Sequence, residues 1–139
     1  MTKHQYICAI CDVVKEKSNC MKRKVGSVFV NKDYEILATG YNNPPVGFEH
    51  CDDGLTCGNP CSRNIHSEQN AIVQSAKRGV ALRGSILYVS YTPCVTCARL
   101  LVNLGVQVVY AKEVNNDGGA EVLVRAGIPL LGWEEIGST

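Results

Sequence analysis

From Ser67 onward the chain alternates short helical segments with short runs of β-forming residues, and that alternation leaves few folds open. Residues 67–78 read as a helix stopped by Gly79, a residue suited to a left-handed helix end. Residues 85–90 read as a strand, 94–104 as a helix stopped by Gly105, and 106–110 as a strand. A last helix is expected over about 119–126, ahead of Gly127, and a final strand over 128–133. Near the start, Ile7, Ile10, Cys11 and Val14 fall at i, i+3, i+4 and i+7 on one helix face. Residues 25–30 and 35–41 read as two strands, and the polar stretch between them suggests an antiparallel hairpin. The order α-β-β-α-β-α-β-α-β predicts an α/β fold with a largely parallel sheet flanked by helices and opened by one hairpin.

A chain of 139 residues, 45% hydrophobic and 19% charged, is expected to form one domain over residues 1–139. Its net charge of +1 argues against a protein that wraps nucleic acid, and favours a small-molecule substrate. No run of about 20 apolar residues is present for a membrane span, and residues 1–10 do not read as a signal peptide. Cytoplasmic location is the expectation. In that compartment eight cysteines point to metal ligands before disulfides. Cys8 and Cys11 read instead as small buried hydrophobes.

Two motifs carry chemistry. His66-Ser67-Glu68 stands where a long loop enters a helix, and Pro93-Cys94-Val95-Thr96-Cys97 stands where a strand turns into the next one. One histidine and two cysteines make three ligands for a tetrahedral zinc, leaving the fourth position to water, as in catalytic sites. Helix starts also favour the thiolate form that ligation needs. Glu68, two residues past His66, is placed to face the metal without binding it, and to pass the water's proton to a substrate nitrogen and a departing amine. A lone C-x-x-C is weak, since it serves redox pairs and structural zinc sites too; the upstream His-x-Glu is what makes the pair specific.

Other residues are candidates by placement. Lys22, Arg23 and Lys24 precede the first strand, where charge-assisted hydrogen bonds could hold a phosphate; Arg23 is the best single choice. Tyr91 and Thr92 should line the pocket mouth. Residues 42–64 hold three prolines, three glycines and three cysteines with no apolar period, and so long a loop needs something to tie it down. Cys51, Cys57 and Cys61, with Cys20 and with His50 beside them, invite a second, structural zinc there; free thiols are the alternative.

The H-x-E…P-C-x-x-C pattern is the signature of zinc-dependent nucleobase deaminases. With the element order it resembles the cytidine deaminase-like superfamily over nearly the whole chain. The stretches Thr39–Gly47 and His66–Ile72, with the cysteine-bearing insertion before His66, resemble the deoxycytidylate (dCMP) deaminase family in particular. Two departures stand out: Ser67 replaces the usual alanine, a change expected to be harmless, and Asn43 replaces a glycine. The resemblance implies a three-layer α/β/α sandwich around a five-stranded mixed sheet. It also implies hydrolysis of dCMP to dUMP and ammonia, in service of thymidylate synthesis, with one catalytic Zn2+ on His66, Cys94 and Cys97. By the same resemblance Asn42 touches the substrate's sugar hydroxyl, and Asn70 makes a substrate or loop contact. A homohexamer, activation by dCTP with Mg2+ and inhibition by dTTP are further implied, with the effector near Asn42, Asn43 and Lys77. Rival readings are a tRNA adenosine deaminase, a free cytidine or guanine deaminase, and a silent zinc-binding regulatory module. Neither nucleic acid nor membrane is expected as a partner.

Overall fold

The computed structural model describes residues 1–51, 58 and 61–136. Helix α1 (Lys3–Lys15) begins with a capping box, in which the Thr2 hydroxyl accepts the Gln5 N–H at 3.0 Å and Gln5 Oε1 accepts the Thr2 N–H at 2.9 Å. Strands β1 (Gly26–Val30) and β2 (Ile36–Tyr41) form the expected hairpin. There follow α2 (Ser67–Arg78), β3 (Ile86–Tyr91), α3 (Val95–Leu104), β4 (Val108–Glu113), α4 (Gly118–Arg125), β5 (Leu130–Gly132) and a 3-10 turn, Trp133–Ile136. Helices α2 and α3 end where the sequence indicates, at Gly79 and Gly105, both with positive φ. No described helix is long and apolar enough to cross a membrane.

The sheet has the order β2-β1-β3-β4-β5 and is mixed. It is less parallel than a single opening hairpin suggests, because β1 is antiparallel to β3 as well as to β2. Topology explains this. The crossover through α2 makes β3 run parallel to β2, and β1, inserted between them, opposes both. Strands β3, β4 and β5 pair in parallel.

Two boundaries move from their expected places. Val106 and Gln107 serve the helix exit, donating to Leu101 O at 3.3 Å and Ser85 O at 2.9 Å, so β4 starts at Val108 and runs on to pair Glu113 with Tyr91. Strand β5 keeps three residues, since Pro129 has no N–H for the ladder.

Side-chain alternation makes the layers. Val28, Val30 and Tyr88 turn to α1, packing on Ile7 and Cys11. Phe29, Leu87 and Val89 turn the other way, onto Ala71 of α2, Ala98 and Leu101 of α3 and Leu123 of α4. Helices therefore cover both faces, and all five β1 residues are buried. Cys11 is buried as expected of a small hydrophobe, and Cys8 packs half-buried beside it. Gly40 is where α2 comes closest to the sheet: a Cβ there would lie 2.3 Å from Ser67 O and 2.4 Å from Ala71 N. This contact sets the first turn of α2, and with it the residues at its start.

Candidate metal centre and its pocket

His66 and Cys94 are the N-cap residues of α2 and α3, both with extended backbone. The His66 backbone N–H donates to Gln69 Oε1 at 2.9 Å, which fixes the main chain at the helix start. Its Nδ1 lies 3.4 Å from Cys94 Sγ and 3.3 Å from Cys97 Sγ. Ligand bonds of about 2.0–2.1 Å to nitrogen and 2.3 Å to sulfur at tetrahedral angles require an N···S separation of about 3.6 Å. The three donors thus already stand close to the spacing that a zinc ion demands. Among the described residues they form the one group of three metal-binding side chains whose ligand atoms converge within 4.8 Å.

The electrostatics suit a cation. The Cys94 thiol is lowered to about 3, first by its hydrogen bond with Cys97 and next by the one with His66. Cys97 moves up, because it holds the proton shared with Cys94. His66 is raised, chiefly by the Cys94 hydrogen bond.

Glu68 is 5% exposed, and burial raises its pKa against the opposing hydrogen bond from Ser67. A carboxylate that binds its proton more firmly than usual suits proton transfer near neutral pH. Ser67 Oγ donates to Glu68 Oε1 at 2.7 Å and lies 2.7 Å from Ser27 Oγ of β1. All three residues are buried. The serine at position 67 is thus a partner of the glutamate and more than a neutral replacement for alanine. Ser67→Ala would leave the Ser27 hydroxyl buried and unpaired, and is expected to cost about 1–2 kcal/mol of stability in a denaturant titration. An unchanged midpoint would show that this chain of hydroxyls carries no energy.

A pocket of about 300 Å³ opens beside the three donors. Arg23, Asn42, Tyr91 and Thr92 line it with Glu68. Asn42 Oδ1 accepts the Val25 N–H, and its Nδ2 donates to Arg23 O, both at 2.8 Å, so the side chain also staples the segment that carries Arg23. Thr92 Oγ1 donates to Glu113 O at 3.0 Å and accepts the Asn115 N–H at 2.8 Å.

The larger hollow, about 650 Å³, lies elsewhere, between β2, α2 and residues 43–48. Asn70 lines that one and donates from Nδ2 to the carbonyl of Tyr41, at the end of β2, at 2.7 Å. Asn43 and Lys77 line it as well, while Asn42 faces the metal centre. Asn43 has no positive φ, so the position makes no demand for glycine.

The four further cysteines divide. Cys57 lies outside the described residues. Cys51 is buried, and Cys20 and Cys61 line the pocket beside the metal centre. Cys61 Sγ accepts the N–H of Arg63 and of Asn64, each at 3.4 Å, and Cys20 Sγ accepts that of Arg23 at 3.5 Å. The sequence reading overlooked Ser27, Asn115 and Asp117, the last of which also lines the pocket. The polar run Asn115-Asn116-Asp117 carried the signal for two of them; a serine in an apolar strand carried none.

This sheet order and donor set put the chain in a class of zinc-binding α/β proteins with converging helix starts. A family model, the cytidine and deoxycytidylate deaminase zinc-binding region, matches residues 1–113, and the chain belongs to that family. It is 37% identical over 112 residues to ComE operon protein 2 of Bacillus subtilis, covering 79% of this chain and 59% of that protein. It is 33% identical over 137 residues to the deoxycytidylate deaminase of Schizosaccharomyces pombe, covering 90% of this chain and 42% of that one. The chain spans about half the length of these relatives. The crystal structure of dCMP deaminase from the cyanophage S-TIM5 is similar with a TM-score of 0.80 at 32% identity, over 93% of this chain and 95% of that one. A second structure of that enzyme holds dCMP and dUMP.

Proposed function

We propose that this chain hydrolyses dCMP to dUMP and ammonia. The observation that carries the reading is a His-Cys-Cys donor set beside a buried glutamate, in a pocket whose rim bears Arg23. Likeness to the S-TIM5 dCMP deaminase over nearly the full length of both chains supports the choice of substrate.

His66 Nδ1, Cys94 Sγ and Cys97 Sγ would hold the zinc. Bound there, it supplies the Lewis acidity that makes water a nucleophile near neutral pH. Glu68 moves the protons: it takes one from the attacking water and gives it to the ring nitrogen beside C4, then takes the remaining one from the new C4 hydroxyl and gives it to the departing amine. Oxygen ends on C4 and ammonia leaves. Burial keeps the Glu68 carboxyl ready to hold each proton between transfers, and Ser67 holds Oε1 in place. Arg23 meets the 5′-phosphate, and Asn42, at the same pocket, meets the sugar.

The same reading extends to regulation and assembly. Asn43 and Lys77, on the larger hollow, mark a nucleoside triphosphate site for dCTP with Mg2+ and for dTTP. Val46, Phe48 and Val73 are exposed around that hollow, which favours a homo-oligomer, a hexamer in this reading, that would cover them. Cys20, Cys51, Cys57 and Cys61 are the ligands proposed for a structural zinc. A cytoplasmic location agrees with their use as thiols.

The test is ammonia release by the purified protein from dCMP, deoxycytidine, CMP and tRNA, each with and without dCTP–Mg2+ or dTTP. Turnover of dCMP above the others, raised by dCTP and lowered by dTTP, is the expected result. Release from another substrate but none from dCMP would overturn the proposal, and indifference to both triphosphates would remove the regulatory part. Zinc content of two per chain against one, and particle mass, decide the remaining two points.

A further inference from the structure

Arg23 is held at both ends. Its carbonyl accepts Asn42 Nδ2 at 2.8 Å, and its guanidinium carbon lies 3.8 Å above the centre of the Tyr91 ring. The ring is anchored in turn, because Asn115 Nδ2 donates to Tyr91 Oη at 2.9 Å. Asn115 itself is tied to Thr92 through its N–H, and Thr92 to Glu113 O, so the platform rests on the β3–β4 pair.

Stacking occupies the flat face of a guanidinium and leaves its N–H groups, which lie in the plane, free for a second partner. Lys15, Lys24 and Lys112 make the ion pairs found among the described residues; none involves Arg23. The carboxylate of Asp117, on the same pocket, accepts the Gly119 N–H at the start of α4. Among the described residues no ion pair or side-chain hydrogen bond takes up the Arg23 guanidinium, which lines the pocket.

We infer that Tyr91 and Asn115 are positioning residues that pre-orient Arg23, and that the three together discriminate a 5′-phosphorylated substrate from its nucleoside. The inference rests on the dCMP reading above and adds the device that enforces it. A free arginine must surrender its rotamer freedom on meeting a phosphate; a stacked one has already done so. The planar fork matters, so Arg23→Lys is not expected to restore what Arg23→Ala removes.

The experiment compares kcat/KM for dCMP and deoxycytidine, and affinity for dUMP and deoxyuridine by calorimetry, on the zinc-loaded protein. The readout is the phosphate preference, the ratio of the two values. Arg23→Ala should lower it about ten- to a hundredfold, as expected for hydrogen bonds to a charged group. Tyr91→Leu should lower it about fivefold through loss of the stack, and Asn115→Ala about twofold through loss of the ring's anchor. In the Arg23→Ala background, Tyr91→Leu should change the ratio no further, because its effect passes through the arginine. Equal losses for nucleotide and nucleoside, or additive effects in the double variant, overturn the inference. Tyr91→Phe keeps the ring and serves if the leucine variant does not fold; it should behave as Asn115→Ala does. Wild-type protein inert to dCMP would defeat the substrate reading alone; the dUMP and deoxyuridine affinities would then decide the role of the trio.

Discussion

Glu68→Ala is expected to keep one zinc on His66, Cys94 and Cys97 and to lower ammonia release by about 10²–10⁴-fold, the range typical of general acid–base catalysis. The argument is one of scarcity. Of the acidic groups that line the pocket among the described residues, Asp117 is committed to the start of α4 through the Gly119 N–H, and Glu68 stands two residues from the ligand His66. Glu68→Gln is the sharper variant, because the amide oxygen still accepts from Ser67 while the group can no longer carry a proton. Stability should not fall in either case. The wild-type carboxylate is buried at a desolvation cost, and after its removal Ser67 and Ser27 still bond each other. Metal analysis, thermal melting and turnover on the same samples separate the outcomes. Activity within about tenfold of wild type, with zinc retained, would remove Glu68 from the role of proton carrier.

Gly40→Ala should damage the protein from a position outside the metal pocket. Its Cβ would fall 2.3 Å from Ser67 O, 2.4 Å from Ala71 N and 2.9 Å from Ala71 Cα, all backbone atoms that no side-chain rotation can move. Either β2 or the first turn of α2 must retreat. Overpacking of this kind costs about 1–3 kcal/mol. Functional sites also need their groups held to within about 0.5 Å, and the turn that retreats carries His66 and Glu68. Lower melting temperature and weaker zinc retention are therefore expected together. A variant that melts with wild type and keeps its zinc under chelator would show that the sheet does not position α2.

How much of this was legible beforehand depends on the range of each interaction. Helix ends are local events, so the stops at Gly79 and Gly105 and the two motifs at helix starts could be read directly. The His66-x-Glu68 and Cys94-x-x-Cys97 spacings are short-range as well, and they carried the metal and the reaction type. Asn70 shows the limit: the resemblance left a substrate or a loop contact open, and only packing places its amide on Tyr41 O beside the other hollow. Ser67 shows the converse: a substitution expected to be harmless touches the buried Glu68 carboxylate, and its second contact, with Ser27, exists only because β1 lies beneath α2.

By itself the sequence determined the alternating elements, the residue types able to bind zinc and the glutamate that accompanies them, because each rests on neighbours within a turn or two. Tertiary structure alone decided that β1 lies between β2 and β3, that α2 meets the sheet over Gly40, and that Arg23 stacks on a ring braced by Asn115. Those facts come from packing between segments distant along the chain, where side-chain volume and the geometry of strand pairing select the partner and no local pattern records the choice.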